Sequence, residues 1–182
     1  MRKTFIHFFT IADYEEEEAW LREKNKEGWK LVKMIPPCFF VFEECEPEDV
    51  IYRLDFKNNT QTENYLQMLS DFGWEYCGKC LGWLYFRKAA ADAGTLADGE
   101  LFSDNASRAE MAVHVARTRL IPLTIIFLCC VLPNFARILD GRHVGFYGKF
   151  FTVFFGVMFF LYLFLIIYCG AKLTRIRKKY WN

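Results

Sequence analysis

The chain has 182 residues, 53% hydrophobic and 19% aromatic, with a formal charge of +1. It is too apolar for a disordered or collagen-like polypeptide and long enough for one medium domain, or a small domain with an addition. The near-zero charge conceals a division: residues 1–88 carry 12 basic and 16 acidic side chains, net −4, whereas residues 89–182 carry 11 and 6, net +5.

In chain order, Lys3–Phe9 reads as a strand. Arg2-Lys3 ahead of FIHFFTIA imitates a signal peptide, but His7 interrupts the apolar run and Asp13 and Glu15–Glu18 end it. Residues 1–88 are therefore expected in the cytosol. Asp13 with Glu16 three residues on reads as a capping box. Glu15–Glu18 then complement the positive end of a helix, Lys24 and Lys26 the negative end, and Gly28 supplies the stop. Trp29–Met34 and Cys38–Glu43 are strands about the turn Pro36-Pro37. The same order then recurs. A shift of 45 residues lays Gly28-Trp29 on Gly73-Trp74, Trp20-Leu21 on Tyr65-Leu66, Phe5-Ile6 on Val50-Ile51, and Phe39-Phe40-Val41 on Leu84-Tyr85-Phe86. In this second copy Asp49–Lys57 is a strand, Thr60 with Glu63 caps a helix, and Tyr65, Met68, Leu69 and Phe72 form its apolar face. Gly73 ends that helix, and Glu75–Gly78 and Trp83–Arg87 make a hairpin. The expected fold class is α+β: a duplicated strand-helix-strand-strand head over residues 1–88, with an antiparallel sheet and both helices on one face. The alternative is a ferredoxin-like core with two added edge strands.

Residues 89–106 read as a linker, and residues 107–119, opened by Ser107 with Glu110, as a juxtamembrane helix. Two apolar runs follow. Leu120–Ala136 lacks charge for 17 residues between Arg119 and Arg137, and Phe150–Ala171 for 22. The second makes roughly 33 Å of helix, enough for a hydrocarbon core of about 30 Å. The expected layout is a transmembrane hairpin of residues 120–138 and 150–171 about an external loop, 139–149, with a basic cytosolic tail, 172–182. Pro133-Asn134 is expected to kink or end the first span. Arg108, Arg117 and Arg119 before the spans, and Lys172, Arg175, Arg177, Lys178 and Lys179 after them, outnumber Arg137, Arg142 and Lys149 between them. Both termini are thus expected inside the cell. The tail suits anionic lipid head groups, with Arg119, Lys172, Arg175, Arg177, Lys178 and Lys179 as contacts, better than it suits nucleic acid.

Seven cysteines raise metal or redox chemistry. Cys129, Cys130 and Cys169 fall in the spans. Cys77 and Cys80 form a lone CxxC between two strands, and only Cys38 and Cys45 remain to complete a zinc set, at loose spacing. Packing thiols are the expected state, with no metal and no cofactor. The histidines, His7, His114 and His143, do not cluster, and no phosphate loop, nucleophile elbow or HExxH is present. Catalysis has no candidate residue. The remaining signal is aromatic: Trp29, Trp74, Trp83, Phe40 and Tyr85 either complete a small core or line a groove where the two copies meet. Such a groove would take a small amphipathic or cationic molecule, or a cytosolic partner protein.

The twin Gly-Trp strand starts (EGWKL, FGWEY), the intervening YRLDF, the strand GWLYFRK, the linker ELFSD and the paired apolar runs resemble the bacterial domain-of-unknown-function family 2812. The resemblance implies a bacterial inner-membrane protein with a cytosolic head, in a family without an established activity, whose members often stand beside PadR-type regulators. The repeat is also similar in architecture to gyrase-inhibitor-like ligand-binding modules. The expected role is non-enzymatic sensing or regulation by a head that binds a small molecule or regulator. A membrane-tethered sequestration module is the alternative, a transporter subunit a weaker one, and homo-oligomers are compatible with each.

Overall fold

A computed structural model describes residues 1–56, 62–93, 101, 105–139 and 146–181. They form two compact units, Met1–Ser107 and Arg108–Asn182. The Thr60 cap, His143 and most of the expected linker and loop lie outside the described residues.

The first unit contains β1 (Arg2–Ile6), α1 (Tyr14–Lys26), β2 (Trp29–Ile35), β3 (Phe39–Glu44), β4 (Val50–Phe56), α2 (Thr62–Asp71), β5 (Glu75–Cys80) and β6 (Trp83–Ala89), closed by a 3₁₀ turn, Ala90–Asp92. The class is α+β with antiparallel strands, as expected. The arrangement differs: there are two three-stranded sheets, β1-β3-β2 and β4-β6-β5, in place of one sheet or a ferredoxin-like core. Nor do the helices share a face. On one side of the second sheet, α1 sets Tyr14 against Trp83 (5.3 Å between rings) and Glu17 against the Tyr85 hydroxyl. On the other side Leu69 and Trp74 pack with Ile51, Leu84 and Phe86, supported by Tyr65 and Leu66 of α2. Strand β4 is accordingly buried at six of its seven positions. An alternating strand would bury only every second one.

Helix α1 reaches the second sheet because it is apolar or bonded on two sides. Its Trp20 packs on Phe40 and Phe42 of the first sheet, at 4.9 and 5.6 Å. Its opposite side runs along edge strand β4, where Glu18 accepts the Leu54 N–H (2.8 Å) and pairs with Arg53, and Arg22 grips Asp49 through two hydrogen bonds. A helix carboxylate thus satisfies an edge-strand donor that would otherwise face solvent. The expected capping box does not form. Asp13 occupies the N-cap position without a side-chain cap bond, and its carboxylate accepts the Thr10 N–H instead.

Both helices stop at glycine, with φ of +87° at Gly28 and +80° at Gly73. A Cβ on Gly28 would stand 3.1 Å from the Cys45 carbonyl oxygen, so the position is closed on two grounds. The two sheets share their strand order and carry bulges at Leu31/Lys33 and Tyr76/Gly78, which a shift of 45 residues relates. The last strands are displaced from that shift. Phe40 and Phe42 face α1, whereas the residues facing α2 are Leu84 and Phe86. The cause is a turn one residue shorter: Leu81-Gly82, both at positive φ, against Pro36-Pro37-Cys38. A one-residue change moves every following side chain to the other face. Cys77 and Cys80 lie inside β5 rather than between strands.

In the second unit, α3 (Asn105–Val115), a π-helical turn Ala116–Leu120, α4 (Ile121–Ile126), a second π turn Phe127–Val131 and α5 (Leu132–Leu139) follow without a break, then α6 (Phe146–Trp181). Ser107 is inside α3 rather than at its cap, and Pro133 does not end the helix. Each π turn precedes a proline, Pro122 or Pro133, whose missing N–H leaves a carbonyl to be reaccommodated. Side chains serve nearby carbonyls: Thr118 donates to His114 O, Thr124 to Leu120 O, and Asn134 to Cys130 O at 2.6 Å. The helices run antiparallel as a hairpin, with Arg108 donating to the Tyr180 hydroxyl (2.9 Å) and Phe135 stacked on Phe159 (4.2 Å). Segments Ser107–Arg137 and Gly148–Tyr180 are long and apolar enough to cross a membrane, the most apolar 18-residue stretch of each having a mean hydropathy of 1.9 and 2.7.

Candidate functional site

Where the two strand-helix-strand-strand halves of the head meet, polar side chains gather in a way the apolar run WLYF of β6 does not announce. Arg87, the next residue, is 7% exposed. Its guanidinium holds both carboxylate oxygens of Glu75 on neighbouring β5, through Nε at 2.6 Å and Nη2, and Nη1 reaches the Leu31 carbonyl of β2 at 3.5 Å. From the same residue of β2, the Leu31 N–H donates to the Tyr52 hydroxyl (3.4 Å), which donates to Asn25 Oδ1 (3.0 Å), while Asn25 Nδ2 donates to the Glu48 carbonyl (3.1 Å). One relay of hydrogen bonds therefore ties α1 and β2 to β4, β5 and β6. Burial pushes the Tyr52 hydroxyl up to about 12, so it remains a neutral donor.

Over this relay opens a cleft of about 380 Å³, lined by Lys30, Cys45, Glu46 and Glu48 from the first half and Glu75, Arg87, Lys88 and Asp92 from the second. Arg87 and Glu75 offset one another, leaving two cations and three carboxylates on the walls. Lys88 donates to the Phe72 carbonyl (3.0 Å) and lies 5.9 Å from the Trp74 ring centre.

A second buried polar pair stands deeper. Glu17, 6% exposed, accepts the Tyr85 hydroxyl at 2.7 Å, and the same hydroxyl lies 3.0 Å from Met34 Sδ. Burial raises the Glu17 carboxyl to about 7, Tyr85 opposing the rise and Asp13 adding to it. Burial followed by the Glu17 charge pushes the Tyr85 phenol far above its usual range.

The five aromatic candidates do not line one surface. Phe40 is fully buried in the first sheet. Trp29 lies against Phe5 at 5.8 Å with Lys3 over its ring, and Trp74 belongs to the α2-side core. Trp83 and Tyr85 face α1 at 9% and 3% exposure. The cleft at the junction has charged walls, and none of the five rings is among the residues that line it. The four head cysteines are free, and among the described residues no three metal-ligating side chains assemble. Burial raises Cys77 to about 11, with Arg87 opposing, and raises Cys45 and Cys80 as well, so these thiols carry little nucleophilic thiolate at neutral pH. Of the lipid-contact candidates, Arg119 lies in the first π turn, and Lys172, Arg175, Arg177, Lys178 and Lys179 lie on the last turns of α6, with Lys172 5.9 Å from the Tyr168 ring centre and Lys179 4.8 Å from that of Tyr180.

Sequence reading missed Arg87, Glu75, Tyr52, Asn25 and Glu17 as a set. Two of them carried a signal: Tyr52 in VIYRLDF and Arg87 in GWLYFRK are polar groups within strands too apolar to be half-exposed.

An α+β head with a charged cleft between two like halves, followed by two long apolar helices, defines the class. The chain belongs to the family described as "Protein of unknown function (DUF2812)", matched over residues 13–124, from the N-cap of α1 to Thr124 in the first apolar helix. No curated protein and no solved structure matches it.

Proposed function

We propose that the protein is a non-enzymatic, membrane-anchored regulatory module of the bacterial inner membrane, whose head binds a small charged molecule in the cleft between its two halves. The observation that carries this reading is the buried Arg87 flooring a charged cleft at a junction tied together by hydrogen bonds from both halves. A ligand bridging Glu46 or Glu48 to Lys88 would bind both halves at once and change how firmly they close. The two halves are taken as copies of one repeat. The Lys and Arg excess outside the 137–149 connection supports a head and both termini on the cytosolic side. Two apolar helices with no charge inside 120–136 or 150–171 support an anchor over an ion path.

Trp74, beside Lys88, is a natural reporter. Full-length protein in lipid nanodiscs should show a saturable change in Trp fluorescence with one class among small cationic amphiphiles and zwitterionic molecules. Glu48→Gln, on the cleft wall, should weaken that response about tenfold, the size of one lost charge-assisted hydrogen bond at ~1.4 kcal/mol. No saturable response across the panel overturns the small-molecule reading.

One observation favours tethering a partner protein instead. Met68 and Phe72, expected on the buried face of α2, are 46% and 66% exposed. If Phe72→Asp abolishes co-purification of a cytosolic protein while the fluorescence response is absent, sequestration is the better description.

A further inference from the structure

The first sheet has one face on α1 and one face bare. Registry assigns the bare face unambiguously: Ile6, Phe39 and Ile35 stand side by side across β1, β3 and β2, then Thr4, Val41 and Lys33, then Arg2 and Glu43. Phe8 extends the apolar row, because its neighbours His7 and Phe9 both turn inward onto Trp20. Ile6, Phe8, Ile35 and Phe39 are 63%, 75%, 42% and 38% exposed. Four large apolar side chains in one row exceed the scattered exposure ordinary for a surface.

The charge of this face identifies its occupant. Residues 1–88 are net −4, yet the bare face carries Arg2 and Lys33 against Glu43, with the Lys30 side chain turned to the cleft, and the Arg2–Glu43 pair is loose at 3.9 Å and solvent-exposed. A locally basic surface ending in Phe and Ile is the composition of a peripheral membrane-binding face: aromatic and aliphatic groups enter the head-group boundary and cations meet anionic lipid. A tether raises the effective concentration of bilayer at the head, so a patch too small to bind a vesicle from solution can still engage.

We propose that the bare face of the first sheet docks on the anionic lipid surface of the membrane in which the chain is anchored. The proposal rests on the anchoring part of the function above and adds a second, reversible contact.

The test is site-specific photocrosslinking in full-length protein, reconstituted in phosphatidylethanolamine vesicles containing phosphatidylglycerol. p-Benzoylphenylalanine replaces, one at a time, Phe8 on the bare face, Phe154 on α6 and Phe72 on α2, and adducts are identified by mass. Phospholipid adducts at positions 8 and 154, with several-fold less at 72, are expected. Exchanging phosphatidylglycerol for phosphatidylcholine, or combining Arg2→Gln with Lys33→Gln, should cut the yield at 8 several-fold and leave 154 unchanged. Lipid at 154 but not at 8 overturns the docking while the anchor stands. Lipid at neither position overturns the anchor as well. A crosslinked dimer at position 8 assigns the face to a second copy, equal yields at 8 and 72 make the contact unspecific, and a yield at 8 indifferent to lipid charge removes the electrostatic basis; each overturns the proposal.

Discussion

Replacing Glu17 with glutamine should stabilise the head at pH 8 and change little at pH 4.5. The carboxyl is 6% exposed and titrates near 7 in the folded protein against 4.5 for an unperturbed group. Burial is the main cause and the nearby Asp13 charge adds to it, while the Tyr85 hydroxyl works the other way. A raised folded value means that the native state holds its proton more tightly than the unfolded chain. That contribution is fully present below pH 4.5, is lost as the pH rises through 7, and then levels off. A difference of about 2.5 pH units corresponds to roughly 3 kcal/mol. Glutamine copies the neutral form at every pH: its carbonyl still accepts from Tyr85, and nothing has to ionise inside the protein. Melting followed by Trp fluorescence should therefore find the variant ahead of wild type by on the order of 10 °C at pH 8, with the gap closing on acidification. A constant difference across pH would show that Glu17 is charged throughout and held by other means.

The Arg87–Glu75 pair should respond asymmetrically to loss of its two members. The Arg87 side chain is 9% exposed and that of Glu75 61%. Removing the acid in Glu75→Ala strips a guanidinium inside the junction of its bidentate carboxylate and leaves it beside neutral groups, the Leu31 carbonyl at 3.5 Å and the Tyr52 hydroxyl. Uncompensated burial of this kind costs about 3 kcal/mol. Removing the base in Arg87→Met leaves a carboxylate that water can solvate, and the long apolar side chain refills part of the space, so the cost should be about 1 kcal/mol. Equilibrium unfolding of both variants in urea decides the matter. Equal effects, or a larger effect for Arg87→Met, would mean that the pair contributes by packing rather than by charge.

Much of the local structure was legible because it is set by neighbours in sequence. Gly28 and Gly73 mark the helix ends through backbone geometry alone, and the apolar lengths after residue 119 leave no other reading of secondary structure than helix. The misreadings share a cause. The acidic run of α1 reads as a partner of the helix dipole alone, since EEEE at an N-terminus is accounted for that way. Nothing within the helix reveals that Glu17 meets Tyr85, 68 residues on, or that Glu18 seals the edge of β4. Helix α2 reads as one apolar face, Tyr65-Met68-Leu69-Phe72, but the sheet covers Tyr65, Leu66 and Leu69 and leaves Met68 and Phe72 outside, a rotation that periodicity alone does not fix. The repeat was visible at a shift of 45, but the single residue missing from the β5–β6 turn reversed the faces of the last strand, and with it the meaning of Tyr85. Arg87 and Glu75 stand directly opposite one another because the bulge at Tyr76/Gly78 shifts the β5–β6 register by one residue, which the spacing of the hairpin does not show.

The regulatory role of the head at the membrane, and the docking of its bare sheet face, depend on residues 105–139 and 146–181 anchoring the chain in a bilayer. Alkaline carbonate washing of membranes containing the full-length protein measures that directly. Retention in the pellet, with release only by detergent, is the predicted result. Recovery in the carbonate supernatant would contradict the anchor and with it the regulatory reading of the head.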